Sequence, residues 1–531
     1  MKAVTLPKLC GADIELGNFV HGARQDDVSA VEASRAVLRE IDGLPRRSAH
    51  AALAYSNGTG YDPQDWGRKY LPTAGNCIYI DLDHVEACLP EVVSAYDHVA
   101  AWHATLRIVR AAQARANAKR RADRRIQVLV NNSDGRSNSY GSHLNFLITR
   151  AAWDNIFNRK LQYQLFLAAF QASSIVVSGQ GKVGSENGAA PAAYQIAQRA
   201  DFFETVCGLQ TTYHRPLVNS RDEPLCGPMP RRPARADEPA RLHCIFFDNT
   251  LCHVASLLKV GLMQIVLAMI EAEQIETRLL LEDPVAAVHR WSHDPTLRTS
   301  MPLVSGETIT AVGLQMLFLD AAKKFVAAGG CDAIVPRAEE IVQLWEDTLL
   351  KLERRDFTAL AGRLDWVLKF QILRRAMKHQ SDLGWDSPEI KMLDHLYSSL
   401  DPADGLYWAY ESAGAVERVV SDDRIAYFES NPPEDTRAWT RAMLLRAVDP
   451  DDVDTVDWDG IVLKSGYVGY QRTYRRVDLA DPLAFTKAEQ GHLFQGSRTV
   501  DEILDHLGAT PAAPRRAASR SNDPYNSRYL N

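Results

Sequence analysis

The sequence predicts an α+β fold in which an antiparallel β-sheet is packed with helices and is followed by a small C-terminal unit. Three strand-like runs lie in the first half of the chain, at residues 77–83, 126–130 and 241–248. Between residues 255 and 400 the spacing of apolar residues becomes mainly helical. Strands that come early and helices that come late favour an α+β architecture over a series of parallel βαβ units.

Helical and loop segments follow in order along the chain. Helical spacing of apolar residues covers residues 27–42, and a long helix rich in Ala and Arg covers residues 92–125. The basic run that ends the second helix is typical of a solvated helix C-terminus. Residues 43–75 are rich in Gly, Pro, Ser and Asn, so we expect a long functional loop there.

Composition changes along the chain predict three units. Residues 1–420 form the main domain, and residues 421–508 mix short strands and helices in a small C-terminal domain. Residues 509–531 are rich in Pro, Arg, Ser and Asn, and we expect a disordered tail. No internal repeat of fixed period is visible.

Length and composition exclude several classes of protein. The 531 residues are 46% hydrophobic, which is enough to bury a large core in two or three domains. A net charge of -7 gives no reason to expect nucleic acid as the main partner. The eight cysteines form no CxxC pair, which disfavours a zinc ribbon or a redox motif and favours reduced thiols.

The distribution of apolar residues along the chain predicts where in the cell the protein is located. The N-terminal residues lack a long apolar segment and do not resemble a signal peptide. The longest apolar segment, residues 260–270, is about half as long as a membrane-spanning helix. We therefore expect a cytoplasmic protein that has neither a membrane nor a nucleic acid as a partner.

The first acidic segment is residues 11–17. Asp13 and Glu15 are two positions apart, so on a strand they point to one face. Two neighbouring carboxylates repel unless a cation lies between them, and oxygen ligands at this spacing suit Mg²⁺. Taken alone, such a pair is more often an exposed strand edge.

The second acidic segment is residues 78–86. Its apolar residues alternate with Tyr79, Asp81 and Asp83, and Glu86 follows just past the predicted strand. Because so apolar a strand is buried on one side, its acids face solvent or a cavity. A cavity that holds a metal ion would explain their density.

Two further segments add histidines and an arginine. His143 and Asn145 share one face of a strand that follows a polar loop, and Arg241 and His243 share the polar face of another. The planar guanidinium of arginine suits a phosphate. A lone histidine is more often structural, but all of these groups together are what a metal–nucleotide cradle on an antiparallel sheet needs. The Gly-rich segment 179–184 lacks the order of a P-loop.

At these residues the sequence resembles the Pup ligase and Pup deamidase/depupylase family, which is related to glutamine synthetase and other carboxylate–amine ligases. The similar segments run in order from residue 11 to about residue 450. They are residues 11–17 (GxExEYG in the family), 81–91 (DHAHPEYSxPE), 131–145 (NNxDGxxxSYGSHEN), 218–224 (INTRDEP), 241–243 (RLH), 248–249 (a variant of DAN), 364–366 and 431–438.

The resemblance implies a glutamine synthetase-like antiparallel β-sheet cradle that uses ATP and Mg²⁺. It also implies a role for each matching position. Asp81 is the central catalytic aspartate, and Arg221 lines the active site. The residues implied to bind magnesium are Asp13, Glu15, Glu86, His143 and His243, and those implied to hold the nucleotide are Arg241, His243, His143 and Trp366.

The implied partners are a small Pup-like protein modifier and lysine-bearing acceptor or conjugate proteins. In a ligase, transfer of the ATP γ-phosphoryl group gives a γ-glutamyl phosphate, and Asp81 takes a proton from the attacking lysine. In a deamidase or depupylase, Asp81 instead attacks the amide or activates a water. The spacing of five from Asp81 to Glu86, and the similarity of residues 179–184 to GSGRVG, favour the deamidase branch.

Three departures from the family pattern are visible: Asp13 replaces a glutamate, Leu144 replaces the glutamate of HEN, and residues 85–87 read Val-Glu-Ala in place of PEY. They keep the implied ligands but change their surroundings, so a divergent substrate or an inactive homologue stays open. Other open alternatives are a ligase, a non-catalytic nucleotide-sensing subunit and a small-molecule γ-glutamyl ligase.

Overall fold

Most strands lie in the first half of the described residues, which are 5–23, 30–45, 66–222 and 235–512 of this computed structural model. Residues 46–65 of the predicted loop, residues 223–224 of the 218–224 match and the tail from residue 513 lie outside them. The strands are β1 (Cys10–Val20), β2 (Leu44–Pro45), β3 (Trp66–Tyr70), β4 (Cys77–Asp81), β5 (His84–Val92), β6 (Ile126–Leu129), β7 (Ser142–Thr149), β8 (Lys182–Val183), β9 (Tyr194–Gln195), β10 (Phe203–Gly208), β11 (Arg215–Asn219), β12 (Pro239–Cys244), β13 (Ser300–Pro302), β14 (Thr308–Thr310), β15 (Val453–Asp457), β16 (Gly460–Val468), β17 (Gln471–Asp478) and β18 (Thr510–Ala512).

Helices dominate the second half. They are α1 (Ala30–Arg39), α2 (Ala95–Ala118), α3 (Arg150–Asp154), α4 (Leu161–Ser178), α5 (His253–Glu271), α6 (Pro284–Ser292), α7 (Ala311–Ala327), α8 (Ala338–Glu353), α9 (Phe357–Leu360), α10 (Asp365–His379), α11 (Pro388–Tyr397), α12 (Leu406–Ser412), α13 (Asp422–Ser430), α14 (Arg437–Ala447), α15 (Lys487–Gln490) and α16 (Val500–His506). The predictions of helices α1 and α2 and of a mainly helical region at 255–400 are confirmed, with shorter bounds for the two helices.

One antiparallel sheet of eight strands organises the main domain. Its strand order is β12-β7-β1-β5-β4-β3-β2, and β6 pairs with the C-terminal half of β1 beyond the end of β7. Every neighbouring pair is antiparallel. The predicted α+β class with an antiparallel sheet is therefore confirmed.

The two faces of this sheet differ in polarity because side chains alternate along each strand. The apolar face is buried in the main hydrophobic core and includes Ile14, Ile80 and Phe146. Helices α2 and α5 contribute to the same core. Helix α2 begins at Ser94, whose hydroxyl accepts a hydrogen bond from the backbone N–H of Tyr96, so strand β5 turns directly into the helix that covers it.

Helix α5 is long and apolar enough to pass a length and composition test for a membrane span. All of its residues are buried inside the protein, which is also the behaviour of a core helix. The two residues before it are held by Asp365, whose carboxylate accepts hydrogen bonds from the backbone N–H groups of Leu251 and Cys252. The 364–366 segment thus has a structural function in the core.

The C-terminal residues form a sheet of four strands in the order β15-β16-β17-β18. Strand β18 pairs with β17, so residues 510–512 belong to this sheet, although the sequence analysis assigned them to a disordered tail. Before the sheet, helix α13 packs on α2 of the main domain through Ile425 and Phe428.

A buried ion pair joins the C-terminal residues to the central sheet. The Glu91 carboxylate on β5 accepts hydrogen bonds from Arg437 Nε (2.8 Å) and from Arg441 (2.7 and 3.2 Å) on α14. Burial opposes ionisation of Glu91, but Arg441 and Arg437 outweigh it and lower the pKa of this carboxyl to about 2. Two segments that resemble the family, 81–91 and 431–438, therefore meet in one structural contact.

We expect Glu91→Ala to lower the free energy of unfolding by about 3–5 kcal/mol, because it leaves two buried guanidinium groups without their carboxylate. The matched control is Asp505→Ala, which removes a solvent-exposed partner of Arg475 and should cost no more than about 1 kcal/mol. Urea unfolding at neutral pH measures both values. Equal effects of the two substitutions would contradict this assignment.

The same ion pair sets a pH dependence. The folded-state pKa of Glu91 lies below the value of about 4.3 for a glutamate in an unfolded chain, so its contribution is complete above that pH. It is lost as the pH falls through the folded-state value near 2. In Glu91→Gln, the acid-induced loss of stability over this interval should be smaller than in the wild type.

Candidate active site

One face of the central sheet collects polar side chains from five adjacent strands. Directly opposed residues of antiparallel strands share a face, and Glu15 lies opposite Glu86 while Asp13 lies between Cys88 and His143. On the far side, Asn145 lies opposite His243. The polar set on this face is Tyr79, Asp81, Glu86, Cys88, Asp13, Glu15, His143, Asn145, Arg241 and His243.

A tight hairpin explains how Asp81 and Glu86 come together. Strand β4 ends at Asp81, the chain turns over Leu82 and Asp83, and β5 returns so that Glu86 pairs with Tyr79. Leu82 has a φ of 50°, which is uncommon for leucine and marks the turn. The sequence analysis placed Asp83 on the polar face of one strand, and this is wrong because Asp83 is exposed in the turn.

Carboxylates form the densest part of this face. Ligand atoms of Glu15, Asp81 and Glu86 all lie within 4.8 Å of one another, and a second group with the same limit contains Asp13, Glu86 and Cys88. Glu86 belongs to both groups. Three carboxylates at this distance can ionise together only if a cation neutralises them, so the set fits hard divalent cations.

Burial affects the ionisation of these acids. It raises the pKa of Glu15 to about 7, with a further increase from the charge of Asp81. Burial and the charges of Asp81, Glu15 and Asp13 likewise raise the pKa of Glu86 well above its ordinary value. Without a cation, part of this set therefore holds protons near neutral pH.

A loop between β6 and β7 orients Glu15. The backbone N–H of Gly141 donates a hydrogen bond of 2.8 Å to Glu15 Oε2. Gly141 has a φ of 139°, and a Cβ atom there would lie 2.5 Å from Asn132 Oδ1, so the position needs glycine. Tyr140 closes the loop by donating to Asn131 Oδ1 at 2.7 Å. The 131–145 segment therefore holds the Glu15 carboxylate in position.

The two predicted histidines lie next to each other beyond the acids. The rings of His143 and His243 are 5.4 Å apart and nearly perpendicular. Burial and nearby arginines lower the pKa of His143 to about 3 and that of His243 well below its ordinary value, so both are neutral at pH 7. Within the described part of the chain, neither ring joins a compact group with the carboxylates. Their assignment as metal ligands stays a prediction.

Four arginines act electrostatically on His143, and two of them, Arg221 and Arg241, act on His243 as well. The charges of Arg199, Arg215, Arg221 and Arg241 all lower the pKa of His143. Arg199 and Arg215 were not predicted, because no motif distinguishes them in the sequence. Both are buried and both are anchored to Ser139: Arg199 through its hydroxyl at 3.3 Å and Arg215 through its carbonyl at 2.6 Å.

Arg221 is held near this cluster by its neighbours. Its backbone N–H donates to Asn219 Oδ1 at 3.1 Å, and the next residue, Asp222, accepts two hydrogen bonds of 2.9 Å from Arg150. Arg150 is buried at the start of α3. The charge of Arg221 lowers the pKa of both His143 and His243.

A chain of hydrogen bonds connects the basic and acidic sides. Arg241 donates to Asn145 Oδ1 at 2.9 Å, and Asn145 donates to Asp13 Oδ2 at 3.0 Å. These three residues line one cavity, and Arg437 and Trp458 of the C-terminal residues line it too.

Trp366 lies elsewhere. Its side chain is fully buried in the main core, and its indole N–H donates to the Val176 carbonyl at 2.9 Å. It has no surface open to a nucleotide, which corrects the expectation that Trp366 contacts the cofactor. Two aromatic residues, Phe146 and Trp458, line the cavity instead. Trp458 was not predicted because it lies outside the segments on which the resemblance rests.

Comparisons with known proteins agree with this geometry. The family model described as Pup-ligase protein matches residues 8–462. The Pup deamidase/depupylase of Mycolicibacterium smegmatis is 33% identical over 435 residues, which cover 82% of this chain and 82% of that protein. The Pup–protein ligase of Acidimicrobium ferrooxidans is 32% identical over 427 residues, which cover 79% of this chain and 88% of that protein.

Solved structures support the fold. The ligase PafA in its complex with the prokaryotic ubiquitin-like protein Pup matches with a TM-score of 0.74 at 24% identity, over 94% of this chain and 92% of that chain. PafA in complex with ADP matches with a TM-score of 0.68 at 25% identity, over 84% of this chain and 91% of that chain. The predicted glutamine synthetase-like fold with a small C-terminal sheet is confirmed. The chain belongs to the Pup-ligase family of enzymes, whose members include both Pup–protein ligases and Pup deamidase/depupylases.

Proposed function

We propose that this enzyme is a cytoplasmic deamidase/depupylase that uses ATP and Mg²⁺ and cleaves the side-chain amide at the C-terminal residue of a Pup-like protein modifier. The observation that carries the proposal is the position of Asp81. It ends β4 at the tip of the hairpin, and its carboxylate belongs to the same compact group as Glu15 and Glu86.

Carboxylates and basic side chains lie at separate positions on the sheet face, and this separation supports a cation and a nucleotide as cofactors. Glu15 and Glu86 would hold Mg²⁺ beside Asp81, whereas Arg241 and the neutral histidines would face the phosphates. Trp458, on the cavity wall, offers an aromatic surface to the base. PafA, a relative with the same fold, has been solved with ADP.

Bound Mg²⁺ would neutralise the carboxylates and the phosphates and would polarise the carbonyl that is attacked. The residues of the chain perform the rest of the reaction. Arg221 orients the terminal carboxylate of the modifier. In one route Asp81 takes a proton from a water that attacks the amide carbon, the C–N bond breaks, and that proton passes to the departing nitrogen. In the other route Asp81 attacks the amide carbon, the departing nitrogen takes a proton from a water, and a further water hydrolyses the anhydride formed on Asp81. Ammonia or the lysine side chain leaves in either case.

Ligation is the second candidate, and the same position of Asp81 supports it. A carboxylate at this point could take the proton from a lysine amine that attacks a γ-glutamyl phosphate. The relatives carry both names at nearly equal identity. Glu86 follows Asp81 by five residues, and a two-residue turn separates the two strands that carry them. This spacing is the feature that favours cleavage over ligation.

Intact-mass measurements distinguish the two directions. Purified protein with MgATP should convert a Pup-like modifier ending in Gln to the form ending in Glu and should release the modifier from a lysine conjugate. A reaction without ATP is the control. Accumulation of conjugate from the Glu form with stoichiometric ADP, and no cleavage, would instead establish the ligase.

Asp81→Asn should lower the rate in either direction by about 10²–10⁴-fold, because the amide can neither attack nor accept a proton. Binding of a fluorescent ATP analogue should persist, since the nucleotide contacts lie on other strands. The matched control is Asp83→Asn, two residues away in the exposed turn, which should keep wild-type activity. An Asp81→Asn enzyme with normal turnover would argue for a different catalytic residue.

Mg²⁺ binding should release protons in a manner that depends on pH. Below pH 7, Glu15 holds a proton in the free protein because its pKa is raised to about 7, and the cation must displace it. At higher pH this proton is already gone, so the number released falls. Calorimetric titrations in buffers of different ionisation enthalpy measure the release. In Glu15→Gln, fewer protons should be released on Mg²⁺ binding below pH 7 than in the wild type. A pH profile of proton release equal to that of the wild type would exclude Glu15 as a ligand.

A further inference from the structure

We propose that Asn249 is a positioning residue, which holds the backbone of Glu15 and thereby sets the direction of the Glu15 carboxylate without touching substrate or cofactor. The inference rests on the proposed function, in which Glu15 holds Mg²⁺. Asn249 is only 1% exposed and lies in the segment that follows β12. The sequence marks it through the resemblance of residues 248–249 to the family, but assigns it no role.

Glu15 lies at a break in the hydrogen-bond ladder along one side of β1. The first part of β1 pairs with β7 as far as Ile14, and the last part pairs with β6 from Gly17 onward. On the other side of β1 the pairing with β5 continues through Glu15 and Leu16. Backbone groups at the break need partners from outside the strands, because an unpaired buried N–H or C=O group costs free energy.

The side chain of Asn249 supplies one of these partners. Its Nδ2 donates to the Glu15 carbonyl at 3.1 Å and to the Asn131 carbonyl at 3.4 Å. Both acceptors are carbonyl oxygens, so the atom that faces them must be the amide nitrogen. The other partner is Gly141: its carbonyl accepts from the Glu15 N–H at 3.4 Å, and its N–H donates to Glu15 Oε2 at 2.8 Å. Asn249 and Gly141 thus hold the same carboxylate residue from two directions.

A buried network fixes Asn249 in turn. Its backbone N–H donates to Asn132 Oδ1 at 2.7 Å, and the backbone N–H of Asn132 donates to Gln198 Oε1 at 2.8 Å. The carboxylate of the preceding residue, Asp248, accepts from the backbone N–H groups of Gln180 (2.9 Å) and Gln198 (2.8 Å). All of these residues are buried. The network therefore determines where the Asn249 amide points.

Packing alone does not explain an asparagine at this position. Asn249 Oδ1 is buried and accepts no hydrogen bond from the residues that the structure describes. A side chain that only filled space would be apolar, since an unpaired buried acceptor costs stability. The donor that Asn249 directs at the Glu15 carbonyl is the feature that distinguishes it from such a side chain.

A shift of the Glu15 backbone would alter the acidic centre directly. The ligand atoms of Glu15, Asp81 and Glu86 all lie within 4.8 Å of one another, so a movement of β1 changes every distance that involves Glu15. Hydrogen-bonded partners behind a metal-binding carboxylate keep it in the orientation that binds the ion, and their loss typically weakens metal binding or activity about 10–100-fold. We expect a loss of this size without Asn249.

The test combines calorimetric Mg²⁺ titration of the full-length, metal-free protein with kcat and KM for cleavage of the modifier. Asn249→Ala should weaken Mg²⁺ binding and lower kcat by about 10–100-fold each, with the KM for the modifier unchanged. The matched control is Asn117→Ala. Asn117 is also buried and also holds a strand backbone, through two hydrogen bonds of 2.8 Å to Ile126 at the start of β6. Its loss should lower stability but keep the Mg²⁺ affinity and kcat.

Two results would overturn the proposal: wild-type Mg²⁺ affinity and kcat in Asn249→Ala, or equal losses in Asn249→Ala and Asn117→Ala. Should Asn249→Ala fail to fold, Asn249→Asp takes its place, because it keeps the size of the side chain and removes the amide N–H donors. The same losses are expected from it, and wild-type values would contradict the proposal.

The wild type separates this inference from the proposed function. If the wild type cleaves the modifier with MgATP and the Asn249 variants match it, only this inference is lost. If the wild type binds Mg²⁺ but cleaves nothing, the proposed function fails, and the Mg²⁺ affinities of the variants still decide whether Asn249 positions Glu15.

Discussion

The concentration of negative charge at the centre of the sheet is the constraint on which the rest of the structure depends. Glu15 and Glu86 lie directly opposite each other on adjacent strands, and the Asp81 carboxylate comes within 4.8 Å of both. Buried like charges at this distance are stable only with protons or a cation between them. The glycine turn at Gly141 holds Glu15 in position, and the tight turn after Asp81 brings the third carboxylate to the other two.

Positive charge on the same face lies beyond this centre. Arginines from several segments act on His143 and His243, which stay neutral because burial and these charges oppose protonation. The hydrogen-bond chain from Arg241 through Asn145 to Asp13 connects the two regions. A surface with carboxylates at one side and guanidinium groups at the other is complementary to a cation bound to phosphates.

Several segments that resemble the family hold other parts of the structure around the site. Glu91 binds Arg437 and Arg441 and so holds the C-terminal residues, with Trp458, over the cavity. Asp365 holds the two residues before α5, and neighbouring Trp366 fills the core. A motif match therefore identifies the fold reliably, but burial and hydrogen bonding decide which of its residues can contact a cofactor.

The sequence by itself determined the antiparallel sheet and most of its polar face, because strand periodicity assigns Asp13, Glu15, His143 and His243 to sides without knowledge of the partners. Strand pairing, however, depends on contacts between residues far apart in the chain. Only the tertiary structure decided that Asp81 and Glu86 lie on two strands of a hairpin, that Arg199 and Arg215 act on the site, and that Cys88 meets Asp13. These outcomes follow from register and burial, which local sequence patterns do not specify.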